Sequence, residues 1–247
     1  MIEKVSGLFE TMRAHKGKIV YFDQHLARIK KSCAKFNIRL PYSFVQIKKQ
    51  IINAIKKSKL NDARVRLIIS KTGAKVDISI VIKRYNPPSY KKYKSGFRVD
   101  LVGSRQKENS ALAIHKITDR KLYERAFEKA KRAGFDEALI LNDRGNICEA
   151  SRSNIFFVKD KLLFTPNLGC GCLPGITRQV ILDLAKRKKI KLRNGRFTLQ
   201  DLLVADEAFL TNSLIGVMPL AAVRKEQIKK GAITRYFMSQ YACLLRK

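Results

Sequence analysis

Short runs of β-branched and aromatic residues, each closed by a turn signal, alternate along this chain with segments whose apolar residues recur at helical spacing. That alternation predicts an α+β fold. Residues 5–13 read as a strand, Gly17 turns the chain, and residues 18–22 return as the second arm of a hairpin. Asp23 is expected to cap a helix whose Leu26, Ile29, Cys33 and Phe36 share a face. A second helix is expected over 43–57, with Ile47, Ile51 and Ile55 aligned. Residues 64–70, 76–84 and 97–102 read as strands of one sheet, separated by Lys71-Thr72-Gly73 and by Pro87-Pro88.

Polar residues around 104–110 suggest a division into a small α+β domain over 1–104, a linker over 105–110 and a larger domain over 111–247. In the larger part a helix is expected over 118–133, stopping at Gly134. The turn Asp143-Arg144-Gly145-Asn146 joins strands at 137–141 and 147–149. A hairpin over 154–158 and 162–165 follows, and Gly175 then opens a helix with Ile176, Val180 and Leu184 stacked. Strands at 208–211 and 217–223 and a helix over 233–245 complete the pattern, with no internal repeat or low-complexity tract.

A chain of 247 residues with 45% hydrophobic content can bury a substantial core. It has no run of about 18 apolar residues, and Glu3, Lys4, Glu10 and Arg13 fall where a signal peptide needs an apolar stretch, so a cytoplasmic protein without a membrane span is expected. Five cysteines, Cys33, Cys148, Cys170, Cys172 and Cys243, stand at unrelated spacings, which argues against a disulfide framework. Cys170 and Cys172 form a C-x-C without a second pair or a nearby histidine, so no metal site is expected. The 52 Lys and Arg against 20 Asp and Glu give +32, which if concentrated would indicate a nucleic-acid or membrane-surface binder. The lysines instead punctuate nearly every segment, from Lys30-Lys31 to Lys229-Lys230, as a solvated surface does. Nucleic acid is therefore not the expected partner, and the field favours small anionic ligands.

Three stretches carry chemistry: His115-Lys116-Ile117-Thr118, Glu149-Ala150-Ser151-Arg152-Ser153-Asn154-Ile155-Phe156, and Leu173-Pro174-Gly175-Ile176-Thr177-Arg178. A lysine amine can form a Schiff base, a carboxylate can hold a pyridine nitrogen protonated, and free N–H groups at a helix start can bind phosphate, which are the demands of pyridoxal phosphate. Taken singly, each has a plainer reading: a solvated lysine, a solvent-facing strand glutamate, an ordinary helix start. Ser151, Ser153 and Asn154 are nevertheless small and polar where a core strand would be apolar, as in the wall of a site. Pro174 fixes the approach and Gly175 admits close backbone contact, while the N–H groups of Ile176 and Thr177 fall in a first helical turn. Lys121 falls on the polar side of its helix and reads as solvated.

With A-D-E-A-F-L from Ala205 added to these motifs in this order, the chain resembles the class IV aminotransferases. These fold-type-IV pyridoxal phosphate enzymes include branched-chain and D-amino acid aminotransferases and aminodeoxychorismate lyases. The resemblance covers most of the chain. It implies a two-domain fold like that of D-amino acid aminotransferase, a small N-terminal α/β domain and a larger C-terminal domain on a β-barrel-like sheet with helices, and it implies a homodimer. It further implies that Lys116 is the catalytic, cofactor-bearing lysine and that Glu149 holds the pyridine nitrogen. Gly175, Ile176 and Thr177 would form the phosphate cup, joined by Arg28 and Ser213, while Phe9, Asn212 and Leu214 would line the substrate pocket.

The wording Thr211-Asn212-Ser213-Leu214-Ile215-Gly216-Val217-Met218-Pro219 is more similar to aminodeoxychorismate lyases than to branched-chain enzymes, which usually carry a glycine-threonine pair there. Two features depart from the family. The chain starts almost at Gly7-Leu8-Phe9-Glu10-Thr11, without the strand and loop that usually come first, so either the small domain lacks an edge strand or the given start is late. The segment after Lys116 also lacks the asparagine and tyrosine at the places where amino acid aminotransferases often show them. The expected activity is release of 4-aminobenzoate and pyruvate from 4-amino-4-deoxychorismate, towards folate. Branched-chain or D-amino acid transamination is the alternative, and a non-catalytic basic nucleic-acid-binding protein the third reading.

Overall fold

The computed structural model describes residues 5–246, so the Glu3 and Lys4 charges lie outside the described residues. The chain forms two compact units: one runs to Pro87 and takes in His115–Asp119, and the other holds Pro88–Ile114 and the chain from Arg120 onward.

The first unit consists of β1 (Gly7–His15), β2 (Lys18–Ile19), α1 (Phe22–Lys35), α2 (Phe44–Ser58), β3 (Ala63–Thr72) and β4 (Lys75–Arg84). Its sheet is antiparallel throughout, in the order β2-β1-β3-β4. The period of two in the sequence becomes two faces. Leu8, Glu10, Met12 and Ala14 stand opposite Ile69, Leu67, Val65 and Ala63, all buried on the face that α1 and α2 cover. Glu10 is the anomaly in that apolar row. The other face carries Phe9, Thr11 and Arg13 beside Ile68, Arg66 and Arg64. Ser43 and Gln46 close a reciprocal capping box that starts α2. Asp23 does not cap α1: the cap position is Tyr21, and Asp23 lies in the first turn, where its carboxylate is paired with Lys48.

The segment around Lys116 is bound to this sheet. Phe9 N–H donates to Lys116 O at 2.9 Å, Thr118 N–H donates to Gly7 O at 2.9 Å, and Leu8 bridges Ile117. A Cβ at Gly7 would collide with Ile69 O and press on Thr118, so this position requires glycine for space. The pairing explains why the helix expected from residue 118 begins only at Lys121: residues 117 and 118 are extended against β1.

The second unit contains α3 (Tyr90–Ser95), β5 (Phe97–Gln106), α4 (Lys121–Arg132), β6 (Glu137–Asn142), β7 (Ile147–Ala150), β8 (Asn154–Lys159), β9 (Leu162–Pro166), α5 (Ile176–Arg187), β10 (Leu192–Gly195), α6 (Leu199–Leu203), β11 (Glu207–Asn212), β12 (Gly216–Val223), β13 (Glu226–Gln227) and α7 (Ala232–Arg246). The strands lie in the order β10-β9-β8-β11-β12-β5-β6-β7, with β13 against β12. This sheet curls until β7 lies against β8 and β9. Inside it, Leu139, Ile147, Ile155, Phe157, Leu210 and Leu220 belong to one core. Outside it, Tyr123, Ala126 and Ala130 of α4 cover Ala138, Ile140 and Cys148. A strand covered on both faces reads as a near-continuous apolar run, and β6, buried along its whole length, carries Ala138-Leu139-Ile140-Leu141 between a buried Glu137 and a buried Asn142.

Two expectations change here. Residues 97–102 do not join the strands at 64–84 in one sheet, because β5 pairs in parallel with β6 and β12 and α4 provides the crossover from β5 to β6. The domain division at 104–110 moves with it: β5 takes up Arg105 and Gln106, and His115–Asp119 belongs with the first unit. β-Branched composition marks a strand without naming its partners. Among the described residues no helix is long and apolar enough to cross a membrane. All five cysteines are free, four of them buried.

One buried acid fastens the last helix. Both oxygens of Glu207 on β11 accept hydrogen bonds at the start of α7, from Ile233 N–H at 3.1 Å and Thr234 N–H at 2.7 Å. Gly231 lies so close that a Cβ would strike this carboxylate. Glu207→Ala should lower the unfolding free energy by about 2 kcal/mol in urea titration, the scale of a lost helix cap; no change would mean that α7 is held by its apolar face alone.

Candidate functional site

In the first unit the Lys116 Nζ lies 4.7 Å from the centre of the Phe9 ring, and the Arg66 guanidinium lies 4.8 Å from the same ring. Lys116 is fixed at its backbone by the bonds to β1, so the direction of the amine follows from the strand. His115 points the opposite way, as alternation along an extended segment requires. Its Nδ1 is 2.8 Å from Ser32 Oγ and its ring meets Phe36 edge-on. Burial, and then Lys35 and Lys31, push His115 down, favouring the neutral ring.

Beneath this lies a charged cluster inside the apolar face. Arg28 Nε and Nη2 donate to the two oxygens of Glu10, each at 2.7 Å, and His25 Nδ1 is 2.7 Å from Glu10 Oε2. Glu10 and His25 are 1% and 0% exposed. Burial works to raise the Glu10 carboxyl, but Arg28 and His25 outweigh it and hold it at about 2. Burial pushes His25 down against the pull of Glu10. Arg28, expected at a phosphate, is therefore gripped at two points by a buried carboxylate, which sets the guanidinium plane.

Held near 2 against an ordinary carboxyl value of 4.5, Glu10 contributes stability that is complete above 4.5 and lost as pH falls toward 2. Unfolding free energies measured from pH 6 down to pH 3 should fall more steeply for wild type than for Glu10→Gln, by on the order of 3 kcal/mol at most. Parallel slopes would remove Glu10 from the acid limb.

In the second unit Glu149, 4% exposed on β7, accepts Asn154 Nδ2–H at 3.0 Å and Leu173 N–H at 3.2 Å on Oε2. Asn154 Nδ2 also donates to Leu173 O at 2.8 Å. A tight turn, with Ala150 N–H donating to Ser153 O, brings Asn154 back beside Glu149. A Cβ at Gly175 would collide with Asn154 Oδ1. One asparagine thus joins the glutamate motif to the proline-glycine motif, which gives their spacing a physical reason.

Gly175 is the cap position of α5 and supplies no side-chain cap. The first N–H groups of the helix have no intrahelical acceptor. The Thr177 hydroxyl beside them is buried, with the residue 1% exposed, and has no hydrogen-bond partner among the described residues. A buried hydroxyl without a partner is costly, and together with uncapped N–H groups and the positive end of a helix dipole it suits an anion such as phosphate. Thr177→Val keeps the shape and removes the hydroxyl. It should weaken inorganic phosphate binding about tenfold while leaving the melting temperature equal or higher; unchanged phosphate affinity would exclude the hydroxyl from the cup.

The remaining expected residues separate. Ser213 and Leu214 are half-buried in the turn between β11 and β12. Asn212, expected in the substrate pocket, spends its amide on structure: Nδ2 donates to Arg152 O and Ser153 Oγ, and Oδ1 accepts from Leu214 N–H and Ile215 N–H. Those four bonds fill the capacity of an asparagine side chain. Lys121 is exposed at the start of α4. Burial pushes the Cys172 thiol up to about 12 and raises Cys170 as well, so both remain thiols. No group of three potential metal ligands occurs among the described residues. Sequence reading overlooked Glu10, Arg66 and Glu137; the signal for Glu10 and Glu137 was an acid in line with buried apolar positions.

The amino-transferase class IV family model matches residues 7–223. The aminodeoxychorismate lyase of Bacillus subtilis is 27% identical over 251 residues, spanning 98% of this chain and 85% of that protein. The branched-chain-amino-acid aminotransferase of Pseudomonas aeruginosa is 28% identical over 262 residues, spanning 95% and 82%. The crystal structure of branched-chain aminotransferase from Thermoproteus uzoniensis with norvaline matches at a TM-score of 0.89 and 25% identity, covering 98% of this chain and 86% of that one.

Proposed function

Because this chain belongs to the class IV aminotransferase family, we propose that it is a pyridoxal-phosphate-dependent lyase that splits 4-amino-4-deoxychorismate into 4-aminobenzoate and pyruvate. The observation that carries the cofactor assignment is the partnerless, buried Thr177 hydroxyl at the uncapped start of α5, tied through Asn154 to a buried Glu149. When bound, pyridoxal phosphate supplies an electron-accepting ring beside the substrate's amine-bearing carbon.

The chain's own residues do the rest. Ile176 and Thr177 N–H groups and the Thr177 hydroxyl bind the phosphate, with Arg28 and Ser213 as further contacts. Glu149 keeps a proton on the pyridine nitrogen: a carboxylate oriented by Asn154 and Leu173 in a dry setting favours a cationic partner strongly. Lys116 would hold the cofactor through its amine, and as a base it would take the proton from the amine-bearing ring carbon of the substrate and as an acid return one to the departing enolpyruvate, which becomes pyruvate. Loss of that fragment leaves the aromatic ring of 4-aminobenzoate. Arg66, whose guanidinium lies against the Phe9 ring as the Lys116 amine does, offers a cation for one carboxylate of a dianionic substrate.

The lyase reading is supported by the stretch from Thr211 to Pro219 and by similarity to the Bacillus subtilis lyase. The second reading, transamination of a branched-chain or D-amino acid, is supported by similarity to the Pseudomonas aeruginosa aminotransferase. Product analysis decides: with pyridoxal phosphate and 4-amino-4-deoxychorismate, equimolar pyruvate and 4-aminobenzoate are expected. Amino-group transfer from leucine or D-alanine to 2-oxoglutarate, without pyruvate from aminodeoxychorismate, would move the assignment to an aminotransferase.

A further inference from the structure

Glu137 opens β6 with a carboxylate that is 3% exposed, ahead of the apolar run Ala138-Leu139-Ile140-Leu141. Its two oxygens are used separately. Oε1 accepts the Ser153 hydroxyl at 2.6 Å, and Oε2 accepts Arg152 N–H at 2.8 Å. The adjoining Ser151 is pinned to the same strand, donating its N–H to Ala138 O and accepting Ala138 N–H on Oγ. Burial pushes Glu137 up to about 7, against the pull of Ser153 and Arg152. Keeping an acid there costs free energy that a leucine would not.

The bonds beyond Ser153 show what the acid does. A hydroxyl has one proton, and Ser153 gives it to Glu137, so its oxygen is left to accept from Asn212 Nδ2 at 3.0 Å. The other Nδ2 proton goes to Arg152 O at 3.2 Å. With Nδ2 committed on that side, Asn212 Oδ1 faces its own turn and accepts Leu214 N–H at 2.8 Å and Ile215 N–H at 2.9 Å. Each donor direction is dictated by the one before, and the series starts at a group that in its charged form can only accept. The far end of the turn is held by different means: Tyr93 donates its hydroxyl to Ile215 O at 2.7 Å, and Gly216, at φ +66, lies against the Tyr241 ring.

We propose that Glu137 is a positioning residue, acting through Ser153 and Asn212 to set the turn that presents Ser213 and Leu214. The functional meaning rests on the reading that places Ser213 at the cofactor phosphate; the anchoring itself does not.

The test is amide hydrogen exchange on the full-length protein, with and without pyridoxal phosphate, for wild type, Glu137→Gln and Ser153→Ala. Glutamine can still accept the Ser153 proton but presents an N–H₂ to Arg152 N–H, while Ser153→Ala cuts the series at its second member; either variant suffices if the other fails to fold. Exchange at Leu214 and Ile215 should rise about tenfold, with Phe156 and Phe209 unchanged, the scale of one lost hydrogen bond. The apparent affinity for pyridoxal phosphate should fall several-fold, while the absorbance at saturation stays that of wild type. Exchange at Leu214 and Ile215 that is unchanged, or that rises equally at Phe156 and Phe209, overturns the anchoring role. Failure of wild type to bind pyridoxal phosphate would defeat the cofactor reading instead, with the exchange result still deciding the anchor.

Discussion

Lys116→Ala should lose the visible absorbance that the wild-type protein gains on binding pyridoxal phosphate, and its turnover should fall by roughly 10⁴-fold or more, as expected when one group both carries the cofactor and moves the proton. The fold should survive. The bonds that hold this segment run from Phe9 N–H to Lys116 O and from Thr118 N–H to Gly7 O, and none needs the lysine side chain. Circular dichroism and urea unfolding should match wild type within about 0.5 kcal/mol, the usual range for a substitution that removes no core packing. Lys121→Ala is the control, since that lysine is exposed at the start of α4 and should leave both spectrum and rate unaltered. A mutant that kept the wild-type absorbance band would send the search for the cofactor lysine elsewhere among the chain's many lysines.

Glu149→Gln should bind the cofactor and turn over about 10³-fold more slowly. Both hydrogen bonds described for Glu149 arrive at Oε2, from Asn154 Nδ2 and Leu173 N–H, and a glutamine carbonyl oxygen can accept both. The link between β7 and the start of α5 is therefore kept, and the phosphate cup with it. What disappears is the negative charge, and a neutral amide cannot hold a proton on a pyridine nitrogen in a desolvated setting, where electrostatic stabilisation of this kind contributes several kcal/mol. Steady-state kinetics beside cofactor titration separates the two effects: kcat should fall while the apparent Kd for pyridoxal phosphate rises less than tenfold. A large loss of affinity with an unchanged saturated rate would make Glu149 a structural acid.

Local features could be read from the sequence because they are decided locally. Ile47, Ile51 and Ile55 declare α2, Asp143-Arg144-Gly145-Asn146 declares the turn after β6, and Gly175 marks the start of α5. Partner choice could not be read. The residues of β5 say strand, but only the parallel pairing with β6 and β12 puts them in the larger sheet. For the same reason the Lys116 segment, which looked like the start of a helix, is bound to β1. The exposed, polar β10 and the short α6 carried too little apolar periodicity to register.

In the site, Lys116, Glu149, Gly175 and Thr177 are candidates from motif order alone. The bonds by which Asn154 ties Glu149 to Leu173, and the collision that makes Gly175 necessary, appear only with coordinates. Asn212 was legible as a residue of interest but not as one whose amide is wholly spent between its own turn and the turn at Arg152-Ser153. Glu10 and Glu137 were hidden because an acid in an apolar row reads as an interruption until its hydrogen-bond partners are known.

The most direct test of the central claim is to load the purified protein with pyridoxal phosphate, reduce it with borohydride and map the cofactor-derived mass to a peptide. A single label on Lys116, absent from Lys116→Ala and much reduced when excess inorganic phosphate competes, is the expected result. A label spread over exposed lysines such as Lys121, insensitive to phosphate, would contradict the account.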